Sequence, residues 1–198
     1  VMRAVFGIDR RESGEIFVKG RRVRIQSPRD ALRCRMGFVP EDRKSQGLVL
    51  GMNVRQNTTL AALRQVASGA GFISARLERE MTDQFVSALE VKTPSNEQRV
   101  RNLSGGNQQK VVIAKWLANS PDILILDEPT RGIDVGAKKE IHALMSRLAQ
   151  QGVAIIMISS ELPEVLGMSD RIVVMHEGRI KGELPRGEAD QVSIMKMA

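Results

Sequence analysis

What this sequence lacks narrows its class before any motif is read. A single cysteine, Cys34, in 198 residues excludes a disulfide framework and suits a reducing compartment. Tyrosine is absent and aromatics make up 3%, so stacking platforms for nucleic-acid bases are scarce. No stretch approaches the roughly 20 uncharged apolar residues of a membrane helix. The longest runs, Ile123–Leu126 and Val153–Ile158, have the length of buried strands. No secretory leader is expected, because the chain opens Val-Met-Arg-Ala-Val-Phe and soon becomes charged. The expected setting is the cytosol or a cytosol-facing surface.

What is present is an ordinary globular balance, 42% hydrophobic and 27% charged, sufficient for one domain or a large piece of one. The net charge of +7 is unevenly placed. Residues 1–44 hold 12 Lys and Arg against 6 Asp and Glu, whereas residues 45–198 hold 18 against 17. The excess is densest at Lys19, Arg21, Arg22 and Arg24. It reads first as a solvated basic hairpin, ahead of a nucleic-acid groove or a contact with anionic lipid.

Val1, Val5 and Ile8 share the i, i+4, i+7 spacing of the last turns of a helix. Glu15–Val18 and Val23–Ile25, joined through Lys19-Gly20-Arg21-Arg22, predict a hairpin. Ser27-Pro28 opens a short helix, with Ser27 as cap and Pro28 at the first position. Met36–Val39 is a strand ending at Pro40, followed by a charged loop, Glu41–Lys44. Residues 53–89 are helical in pattern, interrupted at Ser68-Gly69-Ala70-Gly71. Beyond residue 103 strands and helices alternate. Ile123–Leu126 and Val153–Ile158 flank an amphipathic helix, Val135–Gln151, whose Ile141, Leu144, Met145 and Leu148 share one face. Leu162–Met168 is a short helix, and Ile172–Met175 a strand turned at Glu177-Gly178. Apolar strands alternating with helices predict an α/β fold built on a parallel sheet, with an inserted helical segment.

Two local patterns carry chemistry. Leu103-Ser104-Gly105-Gly106-Asn107-Gln108 leads into a helix stripped of bulk at its start. Ser104 can cap it, and the two glycines let another group approach the backbone. Free N–H groups and the helix dipole there favour an anion such as phosphate. A plain Ser-Gly-Gly turn before a core helix fits the same residues. Ile123-Leu124-Ile125-Leu126-Asp127-Glu128 delivers two carboxylates at a strand's C-terminal end, where open α/β sheets bind ligands. A solvated acidic turn is the alternative there.

The combination is more specific than either part. Asp127 follows the glycine pattern by about 24 residues, and Gly132-Ile133-Asp134 comes just after. So arranged, the chain resembles the ATP-binding cassette (ABC) ATPases over essentially its whole length. Leu103–Gln108 is similar to their signature motif, Ile123–Glu128 to the Walker B strand, and Gly132–Val135 to the D-loop. Val153–Ser160 is similar to the strand ending at the switch residue. The spellings Pro40-Glu41-Asp42-Arg43-Lys44 and Gly105-Gly106-Asn107-Gln108-Gln109-Lys110 narrow the likeness, as does Thr130-Arg131-Gly132-Ile133-Asp134-Val135-Gly136. They resemble the second cassette of the tandem ATPase subunits that serve bacterial importers of ribose, galactose and xylose.

The resemblance implies a P-loop NTPase-type core from residues 1–40 and 117–198. Residues 41–116 form the inserted helical subdomain with the signature motif, its 41–102 part touching the transporter's membrane subunits. It implies ATP and Mg²⁺ as cofactors, with Asp127 at the metal and Glu128 as candidate general base. Ser104, Gly105, Gly106, Gln108 and Asp134 are the expected nucleotide-binding residues toward a partner cassette. The implied partners are the first cassette of the same tandem subunit, transmembrane permease subunits and, indirectly, a periplasmic sugar-binding protein. The implied place is peripheral, at the cytoplasmic face of the bacterial inner membrane, with no nucleic acid involved. A soluble ABC ATPase acting on nucleic acid or ribosomes, and a vestigial or regulatory cassette, are the competing readings.

The sequence also departs from that pattern. It contains no Gly-x-x-x-x-Gly-Lys-Ser/Thr phosphate loop. Gly182 and Gly187 have the spacing, but Glu188 stands where Lys is required. The family places the loop and its strand just before the segment matching Val1–Ile8, so an incomplete sheet is expected. Glu41 occupies the position of the family's Mg²⁺-reaching Gln, and Ser160 that of its γ-phosphate-contacting His. A serine there supplies one neutral hydrogen bond in place of a cationic one. Hence the site formed by Asp127, Glu128, Glu41 and Ser160 is expected to turn over slowly, while the Ser104 end stays intact.

Overall fold

The computed structural model describes residues 1–68 and 71–198. It divides into two compact units, Val1–Ile156 and Met157–Ala198. In the first, α1 (Met2–Val5) precedes the hairpin of β1 (Ile16–Val18) and β2 (Arg21–Val23). Then come α2 (Pro28–Arg33), β3 (Met36–Val39) and a π-helical turn, Arg43–Gly47. The helical stretch holds α3 (Val54–Thr59), α4 (Leu63–Val66) and α5 (Ala75–Ala88). It leads into α6 (Gly105–Leu117), β4 (Ile123–Asp127), α7 (Val135–Gln150) and β5 (Ala154–Ile158), within which the unit boundary falls. The second unit continues with α8 (Leu162–Met168), the antiparallel hairpin β6 (Arg171–His176) and β7 (Arg179–Pro185), and α9 (Gln191–Met197). Among the described residues no helix is long and apolar enough to cross a membrane.

The expected α/β core is present. The sheet runs in the order β3-β4-β5, and β3 and β4 pair in parallel from Met36 opposite Ile123 to Val39 opposite Leu126. All of β3 is buried, as are Leu124, Ile125 and Leu126, which is why both strands read as unbroken apolar runs. α6 lies over this sheet with Val111, Val112, Ile113 and Ala114 hidden. Phe6 joins the two layers, its ring centroid 5.4 Å from both Phe38 and Trp116. Gly37 is required by this packing, because a Cβ there would stand 2.9 Å from Leu124 Cδ1 and 3.1 Å from Trp116 Cβ.

Several local expectations change. At the start, Val1 and Ile8 are exposed and Phe6 is the buried residue. The helix stops at Val5 and Gly7, at φ 79, turns the chain away, so the i, i+4, i+7 face never forms. Ser27 stands at the cap position of α2 and Pro28 at its first residue, as expected. However, Ser27 Oγ donates to Asp30 Oδ2 at 2.9 Å and caps no backbone N–H. The charged loop is an organised turn, because Asp42 Oδ1 accepts from Lys44 N at 2.9 Å and Ser45 N at 3.1 Å. The break expected at 68–71 involves Gly69 and Ala70, which lie outside the described residues. α9 had no legible apolar stripe, since Val192 and Met195 are exposed and only Ile194 is fully buried. It is started by Asp190, whose carboxylate accepts from Ser193 N at 2.6 Å. In the second unit Ile172, Val174, Leu184 and Ile194 form a core, with Met197 packed against it.

Lys115 is the least expected core residue. It is 7% exposed, and its ammonium donates to the Gly47 carbonyl and lies 5.1 Å from the Trp116 ring centroid. Burial lowers its pKa from 10.5 to about 8. Between these values the unfolded chain binds more protons than the folded one, so stability rises with pH from about 8 to 10.5. The gain across that window is on the order of 3 kcal/mol. Urea unfolding followed over this range should therefore show a positive slope that Lys115→Met removes. An unchanged slope in the variant would place the titration elsewhere.

Candidate nucleotide site

The buried strand β4 brings Asp127 and Glu128 to its C-terminal end, both half-buried. Burial raises the Asp127 pKa above the usual carboxylate range, the neighbouring Glu128 charge adds to this, and Arg3 opposes it. Glu128 adopts φ 49, a left-handed conformation that few non-glycine residues take. A tight turn follows, in which Arg131 N donates to the Glu128 carbonyl at 3.1 Å over a buried Thr130. Such backbone conformations cost on the order of 1 kcal/mol and concentrate at functional sites.

Ser104 begins α6 as its cap, with its hydroxyl accepting from Asn107 Nδ2 at 2.9 Å and, at longer range, from Asn107 N. Both glycines that follow have an explanation within the chain. A Cβ on Gly106 would stand 2.5 Å from Ala137 Cβ, and one on Gly105 would stand 2.9 Å from Arg43 Nη2 and 3.2 Å from the Gly132 carbonyl. What approaches this backbone is thus α7, the Arg43 side chain and the segment between β4 and α7. That segment ends at Asp134, which caps α7 by accepting from Ala137 N at 2.9 Å. Gln108 is buried, and its amide donates to the Val100 carbonyl at 3.0 Å.

Glu41, just past β3, joins the same region through an ion pair with Arg131. Arg43 donates to the carbonyls of Arg131 at 2.8 Å and Gly132 at 3.0 Å. Residues 41–44 with Arg131 and Gly132 line a groove of about 330 Å³. Within the first unit, then, Ser104, Gly105, Gly106, Asp134 and Glu41 converge on the turn that leaves the Asp127–Glu128 pair. Ser160 belongs to the second unit, exposed, between β5 and Glu161 ahead of α8. Arg43 and Arg131 were missed as site residues. The charged run around Arg43 was visible, but nothing in its spacing reveals a partner 88 residues away.

The arrangement matches solved structures of ATP-binding cassettes. MJ1267, a cassette of an ABC transporter, superposes with TM-score 0.80 at 18% identity, covering 99% of this chain and 81% of that one. The cassette MJ0796, in a dimeric post-hydrolysis state bound to ADP and Pi, gives 0.76 at 21%, covering 93% and 78%. These likenesses define the fold as that of an ATP-binding cassette. The chain belongs to the ABC transporter family, whose sequence profile matches residues 1–131. Over all 198 residues it is 54% identical to the ribose import ATP-binding protein RbsA of Bacillus cereus and 53% to that of Bacillus subtilis. It is also 54% identical to a putative ribose/galactose/methyl galactoside import ATP-binding protein of Rhizobium etli. The chain spans about 40% of the length of these relatives.

The contact between Gly106 and Ala137 makes a reciprocal test possible. Gly106→Ala should destabilise the chain by about 1–3 kcal/mol through overpacking, and adding Ala137→Gly should recover part of the loss. Chemical denaturation of both single variants and the pair measures this. Strict additivity would mean that the two elements do not press on one another.

Proposed function

We propose that this chain is an ATP-hydrolysing, energy-coupling module of an importer for simple sugars. The observation that carries the reading is 54% identity over all 198 residues to about 40% of the length of a ribose import ATP-binding protein. The convergence of the Ser104 helix start with the Asp127–Glu128 turn supports it. In this reading the module works in the cytosol against the inner face of the membrane. It pairs with the first cassette of the same tandem subunit and with transmembrane permease subunits, and a periplasmic sugar-binding protein delivers the cargo. Residues 41–116 are the helical part, of which 41–102 meets the permease, between core segments 1–40 and 117–198.

The residues divide into two ends. Ser104, Gly105 and Gly106 offer backbone N–H groups and a helix dipole to the phosphates of ATP held by the partner cassette. Gln108 steadies that end through the Val100 carbonyl, and Asp134 does so by capping α7. On the chain's own side, Asp127 and Glu128 are adjacent hard oxygen donors at the end of β4, a donor set that suits Mg²⁺. Mg²⁺, when bound with ATP, neutralises charge on the phosphates. Glu128 orients the attacking water. Glu41, paired with Arg131, is held by a cation of its own chain. This second end is the slow one.

The test uses the full-length protein that carries this sequence, assembled with its permease. Ser104→Arg should abolish ATP turnover and sugar uptake, while Glu128→Gln should lower them far less. The opposite ranking would exchange the two roles. Wild-type assemblies that neither hydrolyse ATP nor take up sugar would overturn the reading as a whole.

A further inference from the structure

We infer that Arg43 is a positioning residue, whose guanidinium fixes the turn after Asp127 and Glu128 against the first turn of α6. The inference rests on the function proposed above for the importance of those two elements, but its geometry is independent of it. Nη1 donates to the Arg131 carbonyl at 2.8 Å and Nη2 to the Gly132 carbonyl at 3.0 Å. A planar guanidinium spans two successive carbonyls with charge-assisted bonds, and an ammonium cannot reproduce that fork. The Glu41 carboxylate holds the Arg131 side chain, so residue 131 is gripped at both its backbone and its side chain.

The third side of the clamp is Gly105. Nη2 lies 2.9 Å from the place a Cβ would take there, so the first glycine of the helix start leaves the room that the guanidinium fills. Arg43 itself stands on a fixed base. Its turn is opened by Asp42, which accepts from Lys44 N and Ser45 N, and is closed at Gly47, whose carbonyl accepts from Lys115 of α6. Glu128 precedes Arg131 by three residues and is already committed to a left-handed conformation. Small movements at 131 and 132 therefore carry directly to the carboxylates.

Two measurements test this. Hydrogen exchange on the full chain should show faster exchange across residues 130–137 in Arg43→Ala, with α5 unchanged and Arg43→Lys intermediate. If Arg43→Ala does not fold, Arg43→Lys carries the comparison. Unchanged exchange at 130–137 in the folded variant would overturn the inference. In the full-length protein assembled with its permease, Arg43→Ala should lower kcat for ATP roughly tenfold or more at unchanged KM. An equal kcat alongside an active wild type would also overturn it. A wild type without ATPase activity would sink the proposed function instead, and the exchange experiment alone would then decide whether the clamp exists.

Discussion

The absence of side-chain volume at Gly105 and Gly106 is the constraint on which the rest of the site depends. Ala137 of α7 and the Gly132 carbonyl come so close to the start of α6 that any Cβ would displace them. Because close-packed interiors transmit strain, one added methyl group would move the capped end of α7 and the turn before it together. That turn is the continuation of β4, so the distance between Ser104 and the Asp127–Glu128 pair is set by packing that two glycines permit. A glycine-rich helix start is usually read as room for a ligand. Here the same room is first used by Ala137, the Arg43 guanidinium and the Gly132 carbonyl of the same chain, with Ser104 left exposed.

Electrostatics around α6 follow a consistent pattern. Three cations reach carbonyl oxygens in or beside it. Arg43 answers residues 131 and 132, and Lys115 answers Gly47. Lys110 donates to the Glu90 carbonyl at 2.9 Å and pairs with Glu140 at 2.8 Å. Lys110 and Lys115 are almost completely buried. Removing a cation from water is costly unless its hydrogen bonds are replaced, and only Lys110 has a carboxylate to help, which lowers the Glu140 pKa in turn. Lys115, with a carbonyl and an aromatic ring, keeps its proton less firmly. These cations act as long-range staples between segments distant in sequence, a use of positive charge that a net value of +7 does not disclose.

The legible part of the molecule was the part governed by local rules. β3 and β4 announce themselves because both faces are covered, and α7 because its buried residues repeat at the helical period. The Ser104 cap follows from a side chain that can accept from the N–H three residues on. What was not legible depends on distant neighbours. Phe6 is buried by Phe38 and Trp116, and no pattern in residues 1–8 marks it over Val1 or Ile8. Ser27 has the sequence of a cap, but Asp30 supplies a carboxylate that competes for its hydroxyl. α9 escaped because a helix that buries little beyond Ile194 shows no amphipathic stripe. Arg43 and Arg131 read as ordinary members of a basic chain until the fold brings 43 to 131.

Glu41 shows how such a contact changes the meaning of a residue. Its carboxylate adds a third negative group near the ends of β3 and β4. The Arg131 guanidinium cancels that charge within the chain. Two carboxylates then remain at the end of β4, where burial, with the neighbouring Glu128 charge adding to it, raises the Asp127 pKa. Glu41 and Arg131 therefore act as one electrostatic unit. The same arginine offers its backbone carbonyl to Arg43, so the neutralisation of Glu41 and the placement of the turn after β4 share a single residue.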